Sequence, residues 1–213
     1  MKRNNRYQEF ASRVIEWEKD NPRDFPWRRE RTPYKVFISE FLLKRTTSTA
    51  AKRIFISFLN QFPDVSTIAQ SDISLIENII RPIGLYRQRS KGILETANYI
   101  IVEYEGIFPD TWEELLKIPH VGPYSAGCIL SFGYGIRAPA VDSNVERVLK
   151  RCFSQELGDN PKYKKLLELS WEIVPEKKHA LYNYGMIDIG TLVCSYRGCN
   201  DKICPISQIC SYQ

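Results

Sequence analysis

Apolar residues in this chain recur at the three- and four-residue spacing of a helix face, in segments that proline and glycine cut short. Tyr7, Phe10, Ala11, Val14 and Ile15 form one stripe, and Ala51, Ile54, Phe55, Phe58 and Leu59 form a second. Ile93, Ala97, Ile100, Ile101 and Tyr104 make a third; Val145, Val148, Leu149 and Cys152 continue the pattern, as does the run from Leu181 and Tyr184 to Val193. A stripe of this period is buried by packing against other helices. Between the stripes stand Pro22, Pro26, Pro33, Pro63, Pro82, Gly84, Gly106, Pro109, Pro119, Gly133, Pro139, Gly158, Pro161 and Pro175, residues that stop or turn a helix. The pattern predicts an all-α chain of roughly nine or ten short helices with almost no strand. A boundary is expected near residues 134–140, where glycine and proline interrupt two helical patterns, with the helix before Pro22 returning onto the C-terminal half.

With 213 residues, 43% of them hydrophobic, the chain can bury a real core, as one large domain or two small ones. No run approaches the roughly 18–20 apolar residues of a membrane helix. The polar start Met1-Lys-Arg-Asn-Asn has no apolar signal region behind it. A cytoplasmic protein is expected, nucleoid-associated if the source is prokaryotic. The net charge of +5 is compatible with a polyanionic partner without requiring one.

Four of the six cysteines, Cys194, Cys199, Cys204 and Cys210, lie in one short run spaced C-x4-C-x4-C-x5-C. They are too close together to brace a fold of this length by disulfides. They read as ligands of one soft metal centre. Neither His120 nor His179 falls in the run, so the ligand set is all-cysteine. An iron–sulfur cluster suits the spacing better than zinc, because the paired C-x2-C knuckles of structural zinc sites are missing. Zinc and a pair of disulfides remain as alternatives.

Residues 115–126, Leu-Leu-Lys-Ile-Pro-His-Val-Gly-Pro-Tyr-Ser-Ala, read as a short helix, a tight Pro-x-x-Gly turn, and a new helix starting near Pro123. Such a turn points the amides of His120, Val121 and Gly122 outward at a positive helix end, a seat for a phosphate. An ordinary connection in a helical bundle has the same pattern. Downstream, Ser143 and Glu146 have the spacing of a capping box. If Ser143 caps, Asp142 is spare and sits ionised beside a positive helix end; otherwise Asp142 is itself the cap. Glu40 has Val36, Phe37 and Leu43 for helical neighbours, with Lys44 beside them. That company implies a buried carboxyl with a raised pKa, suited to donating a proton, unless the side chain snorkels to solvent.

The hairpin and the segment Val-Asp-Ser-Asn-Val-Glu-Arg-Val-Leu around Asp142 resemble the helix–hairpin–helix (HhH-GPD) DNA glycosylase superfamily that includes endonuclease III. The family turn reads Leu-Pro-Gly-Val-Gly, with an aspartate about eighteen residues later, and its cysteine loop reads C-x6-C-x2-C-x5-C. Cys194, Cys204, Pro205 and Cys210 hold that register. His120 replaces the first hairpin glycine, and Cys199 stands two residues early. The resemblance runs from about Asp24 to Cys210. It implies two helical lobes: residues 28–136, a six-helix lobe with the hairpin at about 112–133, and residues 1–27 plus 137–213, carrying the cysteine loop. It also implies a DNA-binding cleft where the lobes meet, a single 4Fe-4S cluster on the four loop cysteines, and duplex DNA with a mismatched or deaminated base as partner, bound by a monomer.

The resemblance further assigns roles. Asp142 stabilises the oxocarbenium-like sugar left as the N-glycosidic bond breaks, and Glu40 assists departure of the base, the two acids converging on one extruded nucleotide. Tyr124 stands where bifunctional relatives have a lysine that attacks the sugar and forms an imine. A phenol cannot do so, which predicts hydrolysis with little or no strand cleavage. Lys44 and Arg45 follow Glu40 where relatives probe the base stack. Tyr86, Arg87 and Arg89 lie in Gly-Leu-Tyr-Arg-Gln-Arg, similar to a loop that adds an aromatic wedge and phosphate contacts. The stretch Leu-Leu-Lys-Arg-Thr-Thr, and an end three residues after Cys210, where adenine glycosylases continue into a second domain, resemble the thymine–guanine mismatch branch. Removal of adenine opposite guanine or 8-oxoguanine is the next reading, and an inactive DNA-binding or electron-carrying iron–sulfur protein a third.

Overall fold

The computed structural model describes residues 2–212. Among these residues thirteen α-helices follow in order: α1 (Lys2–Asp20), α2 (Pro26–Arg29), α3 (Pro33–Leu43), α4 (Ser48–Gln61), α5 (Val65–Ala69), α6 (Ile73–Ile80), α7 (Tyr86–Tyr104), α8 (Trp112–Leu115), α9 (Pro123–Cys128), α10 (Ser143–Cys152), α11 (Ser154–Leu157), α12 (Tyr163–Ile173) and α13 (His179–Leu192). A π-helical turn, Ile129–Tyr134, prolongs α9. The described strand is one small antiparallel hairpin, β1 (Cys194–Ser195) with β2 (Gly198–Cys199). The all-α expectation holds. The helices outnumber the expected nine or ten because α2, α8 and α11 are single turns of four residues, too short to carry an apolar repeat.

Local chemistry sets the helix starts. Thr32 and Thr47 cap α3 and α4 by accepting the Lys35 and Ala50 amides, and Pro33 occupies the first turn of α3. Asp64 and Thr67 close a capping box on α5. Among the described residues no helix is long and apolar enough to cross a membrane.

The chain divides into two compact units: Met1–Arg23 with Arg137–Gln213, and Asp24–Ile136. In the first, the α1 stripe residues Phe10 and Val14 share a core with Val148 and Leu149 of α10, Leu166 of α12, and Met186 and Ile189 of α13. Phe153 meets Tyr7 and Phe10 edge-on at 5.5 and 4.9 Å. In the second, α3 is buried all round from Val36 to Leu42, and Trp27 packs edge-on against Phe55 at 5.6 Å. Each fully buried side chain of this size contributes about 1.5–3 kcal/mol. A helix buried on every face shows no single apolar stripe, which is why α3 is absent from the stripes read in the sequence.

Candidate functional site

Within the unit Asp24–Ile136, Glu40 sits in the last turn of α3 and is 8% exposed. One turn on, the Lys44 ammonium lies 4.1 Å from the centroid of the Phe41 ring and 3.4 Å from the His120 carbonyl oxygen. Desolvation lowers the Lys44 pKa, with Glu40 opposing the shift.

Three turns surround one cavity beside Lys44. Arg45 follows the C-cap of α3 with φ 52, Leu85 opens α7 with φ 50, and His120 has φ 66 in the hairpin. These are three of the six non-glycine residues with positive φ among those described, a conformation that L side chains adopt at a cost of roughly 1–2 kcal/mol. Together with Phe41, Lys44, Gln88 and Arg89 they line a cavity of about 390 Å³. Leu85 is 50% exposed there, a feature the sequence reading missed. Such backbone strain clusters at functional sites.

The hairpin explains its own strain. The Val121 amide donates to the Ile118 carbonyl at 3.1 Å, closing a turn with Pro119 second and His120 third. Proline followed by a residue of positive φ is the type II arrangement, whose third position favours glycine. His120 fills it, with its Nε2 2.6 Å from Glu95 Oε2 and its ring edge-on to Phe41 at 6.3 Å. The bond to His120 is the main cause holding the Glu95 carboxyl below its usual range. One expectation is corrected here: the Val121 amide is turned inward to Ile118 and is not offered to a phosphate. Gly122 is the N-cap residue of α9, and Tyr124 is half-buried in its first turn.

Arg89 is a second correction. It is 5% exposed, and its guanidinium donates to the carbonyls of Phe41, Leu42, Lys44 and Gly84 and to Thr46 Oγ1. Its donors are occupied inside the protein, so it fastens the end of α3 to the Gly84–Leu85 turn instead of reaching for DNA. Arg87 is exposed, and Tyr86 lies under both Arg81 and Arg87, whose guanidinium carbons stand 5.0 and 5.7 Å from its ring centroid.

In the other unit, the N-cap of α10 is Asp142, not Ser143. Its Oδ1 accepts the amides of Asn144 and Val145 at 2.9 and 2.8 Å, and its Oδ2 accepts Asn144 Nδ2 at 2.9 Å. Aspartate caps about as well as serine, and the helix begins one residue earlier than the Ser143–Glu146 spacing suggests. Glu146 pairs instead with Lys150 at 2.6 Å. Asp142 is therefore not spare; it is a carboxylate pinned by three donors. The pinning extends further: Asn144 Oδ1 accepts Arg147 Nη2 at 2.9 Å, and Arg147 Nε donates to the Cys194 carbonyl at 2.8 Å. Arg147 Nη2 also reaches the Gly190 carbonyl. Gly190 permits this approach, since a Cβ there would stand 2.8 Å from that of Asn144. Asn144 and Arg147 went unassigned in the sequence, although both lie inside the segment around Asp142.

The hairpin β1–β2 pairs Cys194 with Cys199. Arg151 Nη1 is 3.1 Å from Cys194 Sγ. The Cys152 side chain, with help from Arg151 and Arg6, brings the Cys210 thiol down to about 6, whereas burial lifts Cys204 to about 11 and raises Cys199. Among the described residues, no three His, Cys, Asp or Glu side chains stand as ligands around one point. The donor chemistry nonetheless fits an iron–sulfur cluster: clustered thiols, with an arginine donating to one sulfur.

The profile of the HhH-GPD superfamily of base excision DNA repair proteins matches residues 38–176. A thymine/uracil-DNA glycosylase of Methanothermobacter thermautotrophicus is 33% identical over 204 residues, which cover 95% of this chain and 92% of the relative. An adenine DNA glycosylase of Buchnera aphidicola subsp. Baizongia pistaciae is 31% identical over 94% of this chain, but the match spans 57% of its own length. Among solved structures, a thermostable thymine-DNA glycosylase matches with a TM-score of 0.93 and 33% identity, covering 100% of this chain and 98% of that one. The chain belongs to the HhH-GPD superfamily of base excision DNA repair proteins.

Proposed function

We propose that this protein is a monofunctional DNA glycosylase that removes thymine or uracil opposite guanine by hydrolysing the N-glycosidic bond, acting in the cell interior as a monomer. The observation that carries the reading is the Asp142 carboxylate, immobilised by three donors, in a chain similar to thymine glycosylases over nearly its whole length. As the bond from C1′ to the base breaks, its electron pair leaves with the base and positive charge gathers on the sugar. A fixed carboxylate stabilises that charge without reorganising. Glu40 supplies a proton to the departing base, and water adds to C1′. Tyr124 carries no amine, so no imine forms and the strand stays intact.

Lys44, Arg45, Tyr86, Arg87, His120 and the Gly122 amide serve as DNA contacts, with exposed Leu85 joining Tyr86 as the wedge. A mismatched base is cheaper to extrude than a paired one, which supplies part of the selectivity. Cys194, Cys199, Cys204 and Cys210 would hold a 4Fe-4S cluster, whose role when bound is to brace the loop that Arg147 joins to Asp142.

The test incubates the protein with 5′-labelled duplexes containing T·G, U·G, A·G or A·8-oxoG and then applies hot alkali. Alkali-dependent breaks at T and U are expected. Breaks only at A would move the assignment to adenine removal, and breaks without alkali would sink the role given to Tyr124.

A further inference from the structure

The Asp142 carboxylate is fixed from its helix side by the Asn144 and Val145 amides. The chain that leads up to it, residues 137–141, is fastened as well. Arg137 donates through Nε to the Val174 carbonyl at 2.9 Å and through Nη2 to the Trp171 carbonyl, at the end of α12. Asn183, 1% exposed on α13, donates Nδ2 to the Ala138 carbonyl at 2.8 Å and accepts the Ala140 amide on Oδ1 at 3.2 Å. Tyr163, the first residue of α12, holds the last link: its hydroxyl donates to the Val141 carbonyl at 3.1 Å.

These contacts differ in what they control. The buried Asn183 amide, paired through both its atoms, keeps the backbone from opening, and leaving its partners unsatisfied would cost about 1–3 kcal/mol. The Tyr163 contact falls on the peptide unit that joins Val141 to Asp142. A peptide unit is planar, so holding its oxygen sets the plane from which Asp142 departs, with φ −92 and ψ −176. The direction of the Asp142 carboxylate therefore depends on Tyr163 on one side and on the start of α10 on the other. Tyr163 is 39% exposed, and its ring is not part of the core that holds Phe153 and Leu166.

We propose that Tyr163 is a positioning residue for base excision, aiming the Asp142 carboxylate at the charge that develops on the sugar by holding the Val141 carbonyl. The inference rests on the role given to Asp142 under the proposed function. A carboxylate that loses one of these restraints must reorganise as charge gathers at C1′, and freedom from reorganisation is what makes such a group effective. Misplacement by about 1 Å can cost roughly 10²-fold in rate.

The experiment is a double-mutant cycle on the full chain: the parent, Tyr163→Phe, Asp142→Asn and the two combined. Phenylalanine keeps the ring and removes the hydroxyl, and asparagine keeps the cap and removes the charge. Each protein is given the duplex from which the parent releases a base, and single-turnover release and duplex affinity are measured separately. Tyr163→Phe should release the base about 10-fold more slowly with unchanged affinity. In the Asp142→Asn background the same substitution should slow release no further, because no carboxylate charge is left to aim. A general loosening of the fold would slow both backgrounds alike. Parental release by Tyr163→Phe, or equal slowing in both backgrounds, overturns the proposal and leaves Asp142 in its role. Weaker duplex affinity with release from the bound state unchanged overturns it too, making Tyr163 a DNA contact. Parental release by Asp142→Asn would instead sink the role of Asp142, and the positioning proposal with it.

Discussion

On the proposed reading Asp142 both caps α10 and stabilises the developing charge, two jobs that one substitution can separate. Asparagine caps a helix about as well as aspartate, so Asp142→Asn keeps an oxygen for the Asn144 and Val145 amides while removing the charge. Base release in single-turnover assays should fall by about 10²–10³-fold, the usual loss when a preorganised electrostatic contact goes, with little change in melting temperature. Asp142→Ala should add a loss of about 1 kcal/mol from the missing cap. An Asp142→Asn variant that still releases bases at the parental rate would remove the carboxylate from the chemistry. Arg45 makes the opposite case, a residue whose conformation opposes its identity. At φ 52 a glycine would be relaxed, so Arg45→Gly should gain about 0.5–1 kcal/mol of stability, given the strain of a left-handed side chain less the entropy of glycine. The same variant should bind mismatched duplex more weakly in a fluorescence titration. Higher stability together with weaker binding would show that the strained arginine is kept for contact with DNA.

At the scale of elements, the start of α10 and the cysteine loop form one mechanical unit. The hydrogen bonds run from Asp142 through Asn144 and Arg147 to the Cys194 carbonyl. Arg147→Gln should leave the Cys194 and Gly190 carbonyls short of a donor, at a cost of about 1–3 kcal/mol. Base release should drop further than DNA binding, and hydrogen exchange should quicken at the first turn of α10 and through residues 194–199 alike. Exchange quickening at the loop alone would show that the two elements are not coupled through Arg147. Little of this linkage was legible in the sequence. Helical stripes, breakers and the thiol run follow from side-chain type and spacing, and these placed the helices and the loop. The burial of Glu40 was legible too, because its helical neighbours are apolar. The cap of α10 stayed open between Asp142 and Ser143 because the two are equally able to cap. Arg89 was misread because a positive charge count does not show that five acceptors wait inside the fold. The left-handed turns at Arg45 and Leu85 left no trace, as neither residue type signals positive φ, whereas His120 stood where the family turn has a glycine.

For the whole molecule, the question is how much of the proposed mismatch preference would come from DNA and how much from protein. Extruding a base costs a few kcal/mol, less when it is mispaired. A difference of about 1.4–2.8 kcal/mol between T·A and T·G would by itself give roughly a 10–100-fold preference, at 1.4 kcal/mol per decade. Any larger ratio requires a side chain that recognises the orphaned guanine. Arg45 suits that role because it is exposed and borders the cavity with Leu85 and His120. Its guanidinium also matches the guanine O6 and N7 acceptors with two donors. The parent enzyme should therefore favour T·G over T·A by more than this floor, and Arg45→Ala should bring the ratio down to it. Salt separates this effect from simple loss of a phosphate contact. If Arg45 only neutralised a phosphate, Arg45→Ala would weaken both duplexes equally and flatten the slope of log affinity against log salt by about 0.9. If it reads guanine, the T·G duplex alone loses affinity, and the T·A slope is unchanged. Measuring both duplexes across a salt series distinguishes the two, and equal weakening would reassign guanine recognition to another residue bordering the cavity.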